Sequence, residues 1–437
     1  MDDLRYTLDQ KPPVGRNLLY AVQWLLIVLP LITVTANLMA SFLGMGPPAA
    51  TALFQRFLFV VGLITAVQCL RGHRYPLIDG PSAALLLSVA VLGGEGIETI
   101  SGGMIVGGIL LTVLGGLGIV HRLQGLFTDR VVGVVLLLIS TTLLPFLYPM
   151  IIGMGPGTPD GDVAVLAISH VIIFAIILIS YWGKGHVGNL SVFIGIVAGY
   201  ALMASLGKVH LPELSGLAWI TIPDPVLVPG VRFTVGSSLS FTLAYIAVLI
   251  NGLGSYYSVA EVVGREGLQQ RIERGIAFTG LGGLVSAVFG VVGTVSYSLS
   301  PGVILVTRIG SRWPVFWCGV VLIMLAFFQK LGALLASVPN AVVGSALFVT
   351  LAAQMGVGIS VIVRSGTAMD VRDYIVIGLP LLLGTTASIL PQGFLDLFPG
   401  STRALVGNGL IVGIVAVLLL EHIVLKESKA QRPKSNV

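Results

Sequence analysis

Two breaks in short apolar runs are the positions where this sequence exposes backbone that could bind a ligand. A Gly-Pro pair at 80–81 precedes the apolar run 82–94, and a Pro-Gly pair at 301–302 interrupts the run 300–308. Irregular backbone at membrane depth leaves N–H and C=O groups that lipid cannot satisfy, so it persists only inside protein or beside a water-filled cavity. The breaks therefore predict free backbone donors and acceptors facing a buried polar space.

The spacing of the two breaks, about 220 residues, predicts an internal repeat. The same offset carries Asn17, where the first long apolar run begins, to the start of the run 236–258. Seven segments per half is an odd number, so the second half enters from the opposite face. Residues 76–82 and 294–300 are expected to be extended, to meet near the midplane and to feed half-helices with positive N-termini. Matched interrupted segments point to a transporter's binding site.

The composition is that of a polytopic membrane protein. Of 437 residues, 55% are hydrophobic and 10% charged, against about 25% charged in soluble domains; the mean hydropathy is +0.99. No basic face typical of nucleic-acid binding is present. Cys69 and Cys318 lie singly in apolar runs, and no His, Cys and carboxylate set clusters at membrane depth. We therefore expect no metal, no cofactor and no enzymatic activity.

Apolar length and basic residues together predict the topology. A helix needs about 20 apolar residues to cross the hydrocarbon core, and with the two short runs this gives fourteen segments. Cytoplasmic termini then place all but five of the 24 basic residues on the inner side, as the positive-inside rule requires. The protein is expected in the plasma (inner) membrane. The full-length runs are 17–42, 50–70, 102–121, 131–151, 164–182, 188–205, 236–258, 277–293, 313–333, 340–362, 373–391 and 404–425.

Several motifs resemble the nucleobase–ascorbate transporters, also called the nucleobase:cation symporter-2 family, which includes uracil and xanthine permeases. They are YTLDQKPPVGRNLLYAVQW, GHRYPLIDGPSAA, TVSYSLSPGVILVTR and VPNAVVGSALFVTLAAQMGVG, in the family's order. The resemblance implies an all-α fold with a 7+7 inverted repeat, in which short extended stretches break segments 3 and 10. It also implies a homodimer. The implied divisions are a tail (1–16), a core domain (17–121 and 236–335), a gate domain (122–205 and 336–425), an outer loop (206–235) and a cytoplasmic tail (426–437).

The resemblance also assigns site residues, and several differ from the family pattern. The signature's Gln or Glu falls on Leu299 and its Asn on Ser300, and the segment-8 carboxylate falls on Asn251. The family's His after Gln is Trp24, and its stacking Phe falls on Ala83. Gly302 is expected to allow close backbone approach. The implied substrate-binding residues are Gln23, Trp24, Ser82, Ala83, Asn251, Ser255, Ser298, Leu299 and Ser300, and the retained signature residues are Gly302, Thr307 and Arg308.

Two transport functions remain open, and a third alternative is a pore or a non-transporting membrane receptor. The first is a permease for a nucleobase such as uracil or xanthine, or a similar planar heterocycle, working by elevator-type alternating access. The second is a transporter of another small solute, possibly an anion, attracted by the half-helix N-termini. An amide cannot take up and release a proton as an intramembrane carboxylate does. Because Asn251 replaces that carboxylate, transport is expected to be weakly coupled to protons or uncoupled.

Overall fold

The computed structural model describes residues 4–154, 158–184, 186–209, 212–224, 230–363 and 369–426. Parts of the predicted loop 206–235, residues 1–3 and the predicted tail beyond residue 426 lie outside them. The first half contains α1 (Val14–Phe42), α2 (Pro47–Leu70), β1 (Asp79–Pro81), α3 (Ala83–Leu92), α4 (Ile97–Gly116), α5 (Val120–Leu123), α6 (Asp129–Thr142), α7 (Leu144–Ile152), α8 (Val163–Trp182), α9 (His186–Asn189) and α10 (Ser191–Ser205).

The second half repeats this order with small differences. It contains α11 (Val235–Val263), α12 (Leu268–Val288), β2 (Thr294–Ser296), α13 (Ser300–Thr307), α14 (Trp313–Ala326), α15 (Gln329–Ala336), α16 (Asn340–Val363), α17 (Val371–Ser388), α18 (Gln392–Leu395), α19 (Gly400–Val406) and α20 (Gly409–Leu419), which a π-helical turn extends to Val424. In both halves a 29-residue helix comes first, and a second helix, a three-residue strand and a short helix follow.

Helix packing follows the repeat. The α4–α12 and α2–α14 interfaces are the most extensive, and the repeat exchanges them, since α2 corresponds to α12 and α4 to α14. Both depend on glycine, as the abundance of small residues predicts. A Cβ on Gly62 would lie 2.6 Å from the Gly319 carbonyl oxygen, and one on Gly115 would lie 2.3 Å from the Ala277 nitrogen. The fold is therefore the predicted all-α inverted repeat with two broken segments.

The helices form two packing groups. One contains α1 to α4 and α11 to α14, and the other contains α6, α8, α10, α16, α17 and α20. The named helices of these groups fall within the predicted core and gate ranges, but the division into two domains stays a prediction.

The structure changes two details of the predicted segments. Seven described helices are long and apolar enough to cross a membrane, and fourteen crossings stay a prediction. The predicted run 313–333 is not a single helix, because α14 ends at Ala326 and α15 leaves it at 94°. The extended stretches are also shorter than predicted, since Ser300 already begins α13. Its next residue, Pro301, favours the first helical turn because its φ is fixed and it needs no donor there.

Candidate functional site

The two strands pair with each other and bring the two breaks to one depth. β1 and β2 are antiparallel, with Asp79 opposite Ser296 and Pro81 opposite Thr294. Two backbone bonds extend the pairing, from the Tyr297 N–H to the Ile78 carbonyl at 3.0 Å and from the Ser82 N–H to the Gly293 carbonyl at 2.9 Å. The partner strand thus supplies hydrogen bonds to the backbone of each extended stretch. The two half-helices, α3 and α13, both begin at this crossing.

A cavity of about 200 Å³ lies at the strand crossing. Both packing groups contribute to its wall, which includes the starts of α3 and α13 and the middle of both α11 and α16. The polar residues of the wall are Thr35, Ser82, Asn251, Tyr297, Ser298, Thr350 and Gln354, and the other lining residues include Leu31, Val34, Pro81, Ala83, Ala84, Ile139, Ala247, Val248, Val295, Leu299, Leu347, Leu351, Ala353 and Val357.

The chemistry of this wall is neutral and suits hydrogen bonding. None of the lining residues described is Asp, Glu, His, Lys or Arg. Asn251 and Gln354 each offer one amide oxygen as acceptor and two N–H donors. The N–H groups of Ala83 and Ala84 open α3 and have no intrahelical acceptor. Ser82 caps that helix, since its Oγ accepts from the Leu85 N–H at 3.4 Å. The cavity can therefore hold a small polar molecule without a fixed charge opposite it.

The structure places five of the implied substrate-binding residues on the cavity wall: Ser82, Ala83, Asn251, Ser298 and Leu299. The other four lie elsewhere. Ser255 is fully buried and donates to the Asn251 carbonyl at 3.0 Å and to the Ser296 carbonyl at 2.7 Å. Ser300 is also buried, and its Oγ accepts from the Ile78 N–H at 3.3 Å.

Gln23 and Trp24 lie on α1 and are absent from the described cavity wall. Trp24 is buried. The Gln23 Nε2 is buried without a hydrogen-bond partner in the part of the chain that the structure describes. Substrate contact by these two residues, and by Ser255 and Ser300, stays a prediction that the cavity geometry does not favour.

The glycine that permits close approach is Gly80, and the expectation for Gly302 is wrong. A Cβ on Gly302 would meet nothing within 4 Å, whereas one on Gly80 would lie 2.2 Å from the ring of Tyr297. Thr307 and Arg308 close α13 at its far end. The Thr307 Oγ1 donates to the Val303 carbonyl at 2.8 Å, and Arg308 adopts a left-handed φ of 58°.

The sequence interpretation missed four polar residues of the wall. Tyr297 directly follows β2, and its hydroxyl donates to the Pro81 carbonyl at 2.9 Å. Thr350 and Gln354 lie one turn apart on α16, and Thr35 lies on α1. The available signal was the i, i+4 spacing of Thr350 and Gln354 within an otherwise apolar helix. Among the described residues, no three His, Cys, Asp or Glu side chains gather to hold a metal ion.

A neutral cavity at the crossing of two interrupted segments, inside an inverted repeat of apolar helices, defines this chain as a multi-pass membrane protein of the secondary-transporter class. Residues 15–393 match the family described as the Permease family. The chain belongs to that family.

Curated relatives agree with this assignment, and a solved structure shares the fold. The chain is 27% identical to the uric acid transporter UacT of Escherichia coli (strain K12), over 93% of this chain and 85% of the relative. It is 23% identical to the xanthine permease of Bacillus subtilis (strain 168), over 96% of both. The transmembrane domain of the cyanobacterial bicarbonate transporter BicA superposes with a TM-score of 0.61 at 15% identity, over 94% of this chain and 99% of that domain. At this identity the likeness concerns the fold alone.

Proposed function

We propose that this protein is a permease for nucleobases, and that its substrates are oxidised purines such as xanthine or uric acid. The observation that carries the proposal is the amide of Asn251 on the wall of a neutral cavity at the strand crossing. The relatives named above are permeases for these two purines. The alternative of a small anion is not favoured, because the described lining residues include no cationic side chain.

Recognition follows from the donors and acceptors on the wall. An oxopurine presents adjacent N–H and C=O groups along each edge, and one amide side chain can bind such a pair with its own oxygen and nitrogen. Asn251 and Gln354 lie on helices of different packing groups, so a base bound to both would bridge them. A site built to hydrogen-bond its ligand rejects analogues that lack those groups strongly, because its own polar atoms are then left unpaired.

The proposed transport mechanism is an elevator movement of the core segments against the gate segments. Its support is that the strand crossing and both half-helices belong to one packing group, whereas α16 belongs to the other. The substrate would move with the strand pair and would cross the membrane without chemical change. We also propose a homodimer in the plasma membrane with both termini cytoplasmic. The basic loops support this orientation.

The decisive experiment is uptake by proteoliposomes that contain the purified protein. Radiolabelled xanthine and uric acid are expected to enter, with uracil and bicarbonate as comparisons, and to be recovered chemically unchanged. Asn251→Ala should reduce the uptake of both purines. Uptake of bicarbonate without uptake of any base would overturn the proposal, and conversion of the label would contradict its assignment as a permease without enzymatic activity.

A further inference from the structure

Asp79 and His73 form a pair of ionisable side chains buried directly behind the strand crossing. Both are completely buried, and the His73 Nε2 lies 3.5 Å from the Asp79 Oδ2. A buried carboxylate is costly unless it is paired and hydrogen-bonded, and an ionisable residue at membrane depth most often serves function. Asp79 lies in the extended stretch 76–82, between the apolar runs 50–70 and 82–94. Neither residue lines the described cavity wall, so substrate binding there does not explain why this pair is buried.

The hydrogen bonds around the pair fix where its protons are. The Tyr75 backbone N–H donates to the His73 Nδ1 at 2.9 Å, so this nitrogen accepts and the Nε2 carries the ring proton towards Asp79. On the other side, the Ser296 Oγ donates to the Asp79 Oδ1 at 2.8 Å. Because Nδ1 already accepts a hydrogen bond, a second proton cannot bind the imidazole without breaking it. The free place for an incoming proton is the carboxylate.

Hydrogen bonds and the backbone of Ser296 together link this carboxylate to the helix that lines the cavity. Ser296 lies on β2 opposite Asp79, and its carbonyl accepts from the Ser255 Oγ at 2.7 Å. The same hydroxyl is 3.0 Å from the carbonyl of Asn251, whose side chain lines the cavity. A change at Asp79 thus reaches the strand pairing and the helix that presents Asn251.

The pair also lies next to a polar pocket on the predicted inner side. Gly72 and Arg74, which flank His73 in the chain, line a second cavity of about 200 Å³ with Asp9, Glu266, Gly267, Gln270, Arg271 and Arg274. The Arg271 guanidinium donates to the Arg74 carbonyl at 2.8 Å and to the His73 carbonyl at 3.5 Å. The residues on both sides of His73 in the chain therefore line a pocket that also contains charged side chains.

Ionisable groups face the pair from each of the surrounding elements. Tyr256 on α11 lies with its ring 5.6 Å from that of His73, and its hydroxyl is 3.4 Å from the Ser296 Oγ. The other ionisable groups are Cys69 on α2, Tyr75 in the loop before β1, Arg271 on α12, Tyr297 after β2 and Arg312 before α14. Among the ionisable groups named here, His73 is the potential cation whose side chain contacts the Asp79 carboxylate.

We propose that Asp79, held by His73, is the proton-binding site that couples transport to the proton gradient. A proton that enters binds the Asp79 Oδ1. The Ser296 hydroxyl then accepts from the new carboxyl group and turns its own hydrogen to the Tyr256 Oη, so no covalent bond to carbon or nitrogen changes. Release of the proton reverses these steps. This inference rests on the proposed function, and it is an alternative to the expectation of weakly coupled or uncoupled transport, which is drawn from the family positions occupied by Asn251, Leu299 and Trp24.

The test uses the full-length protein in proteoliposomes with an imposed pH gradient, inside alkaline. The wild type should accumulate xanthine above equilibrium, and a protonophore should abolish the accumulation. Asp79→Asn should lower gradient-driven accumulation by about tenfold or more while exchange of labelled for unlabelled xanthine continues. Glu261→Gln is the matched control, since it removes a half-exposed carboxylate at the inner end of α11 and should leave the accumulation unchanged. Accumulation that survives in Asp79→Asn would overturn the proposal.

A second measurement needs no variant and guards against a misfolded one. A pH-sensitive dye inside vesicles that contain the wild type should report acidification when xanthine is added outside. Infrared difference spectra on substrate binding should also show a change in a carboxylic-acid C=O band. Xanthine uptake without any proton movement contradicts the coupling alone, whereas the absence of any purine uptake contradicts the proposed function. The two failures are therefore distinguishable.

Discussion

The ring of Tyr297 lies directly against the backbone of Gly80, so the two broken segments are in van der Waals contact at the strand crossing. A Cβ at Gly80 would lie 2.2 Å from the Tyr297 Cε2 and 2.5 Å from its hydroxyl oxygen. That hydroxyl donates to the carbonyl of Pro81, which fixes the ring in place. The contact links β1 to the residue after β2, and it requires glycine for reasons of space, not of backbone conformation.

Replacement of Gly80 by alanine should therefore disrupt the crossing. Overpacking of a filled site lowers the free energy of unfolding by about 1–3 kcal/mol. Here the displaced ring, that of Tyr297, also lines the cavity. We expect Gly80→Ala to lower the midpoint of thermal unfolding and to weaken xanthine uptake several-fold. Gly302→Ala is the matched control, because a Cβ there meets nothing within 4 Å. Its unfolding midpoint should stay unchanged or rise slightly, since alanine favours a helix over glycine. Equal effects of the two substitutions would contradict this assignment.

The two segment breaks could be predicted from the sequence, because a Gly-Pro pair within an apolar run leaves backbone that only protein or water can satisfy. The position of Asp79 within the protein could not. The sequence predicts that residues 76–82 are extended near the midplane, but it does not show which way each side chain points. The antiparallel register sets Asp79 opposite Ser296, and the packing around the strands buries its side chain completely. Tyr297 and Gln354 escaped for a similar reason: which residues face one cavity depends on how helices from distant parts of the chain are rotated against each other.

Loss of the Asn251 amide should affect substrate affinity more than protein stability. Without the Asn251 amide, a bound base keeps an unpaired polar group in a buried site, which weakens its binding free energy by about 1–3 kcal/mol. We expect Asn251→Ala to raise the KM for xanthine about 5- to 150-fold with little change in the unfolding midpoint. The same substitution at Gln354, on the other packing group, should also raise the KM. A KM for xanthine that is unaffected in both variants would show that the base binds elsewhere.

A cluster of ion pairs should stabilise one end of the gate helices. Arg130 in the first turn of α6 lies 2.7 Å from Asp373 on α17, and Arg372 lies 2.8 Å from Glu421 after α20. The Glu421 side chain is only 4% exposed and also accepts from the Thr128 hydroxyl at 2.9 Å. Since the arginines remain partly solvated, we expect Glu421→Ala to lower the free energy of unfolding by about 1–3 kcal/mol. This is less than the effect of removing one partner of a fully buried ion pair.

The effect of Glu421→Ala should appear as a fall of several degrees in the midpoint of thermal unfolding in detergent. Asp396→Ala provides the comparison, because Asp396 pairs with Arg403 at 2.7 Å but both side chains are well exposed, and exposed pairs contribute little. Thermal midpoints that fall equally in the two variants would argue that the buried cluster has no special role.

Asn408 forms a contact between the two packing groups, beyond the cavity from the start of α3. The Asn408 Nδ2 donates to the Ser88 Oγ at 3.3 Å and to the Ser240 Oγ at 3.4 Å, and all three residues are buried. Its Oδ1 caps α20 by accepting from the Ile411 N–H. Because α3 runs from the cavity at Ala83 towards its end at Leu92, this contact lies between the cavity and the predicted outer surface.

If core and gate move against each other, this contact must break each time the cavity opens outward. The double substitution Ser88→Ala and Ser240→Ala removes both core acceptors but leaves the cap on α20, so it should shift the equilibrium towards the outward-open state. A cysteine introduced by Ser298→Cys would report the shift, since the native Cys69 and Cys318 are both buried. A membrane-impermeant thiol reagent added outside should label it about 3- to 30-fold faster in the double variant, the range expected for 0.5–2 kcal/mol of coupling. An unchanged labelling rate would mean that the Asn408 contact does not control outward opening.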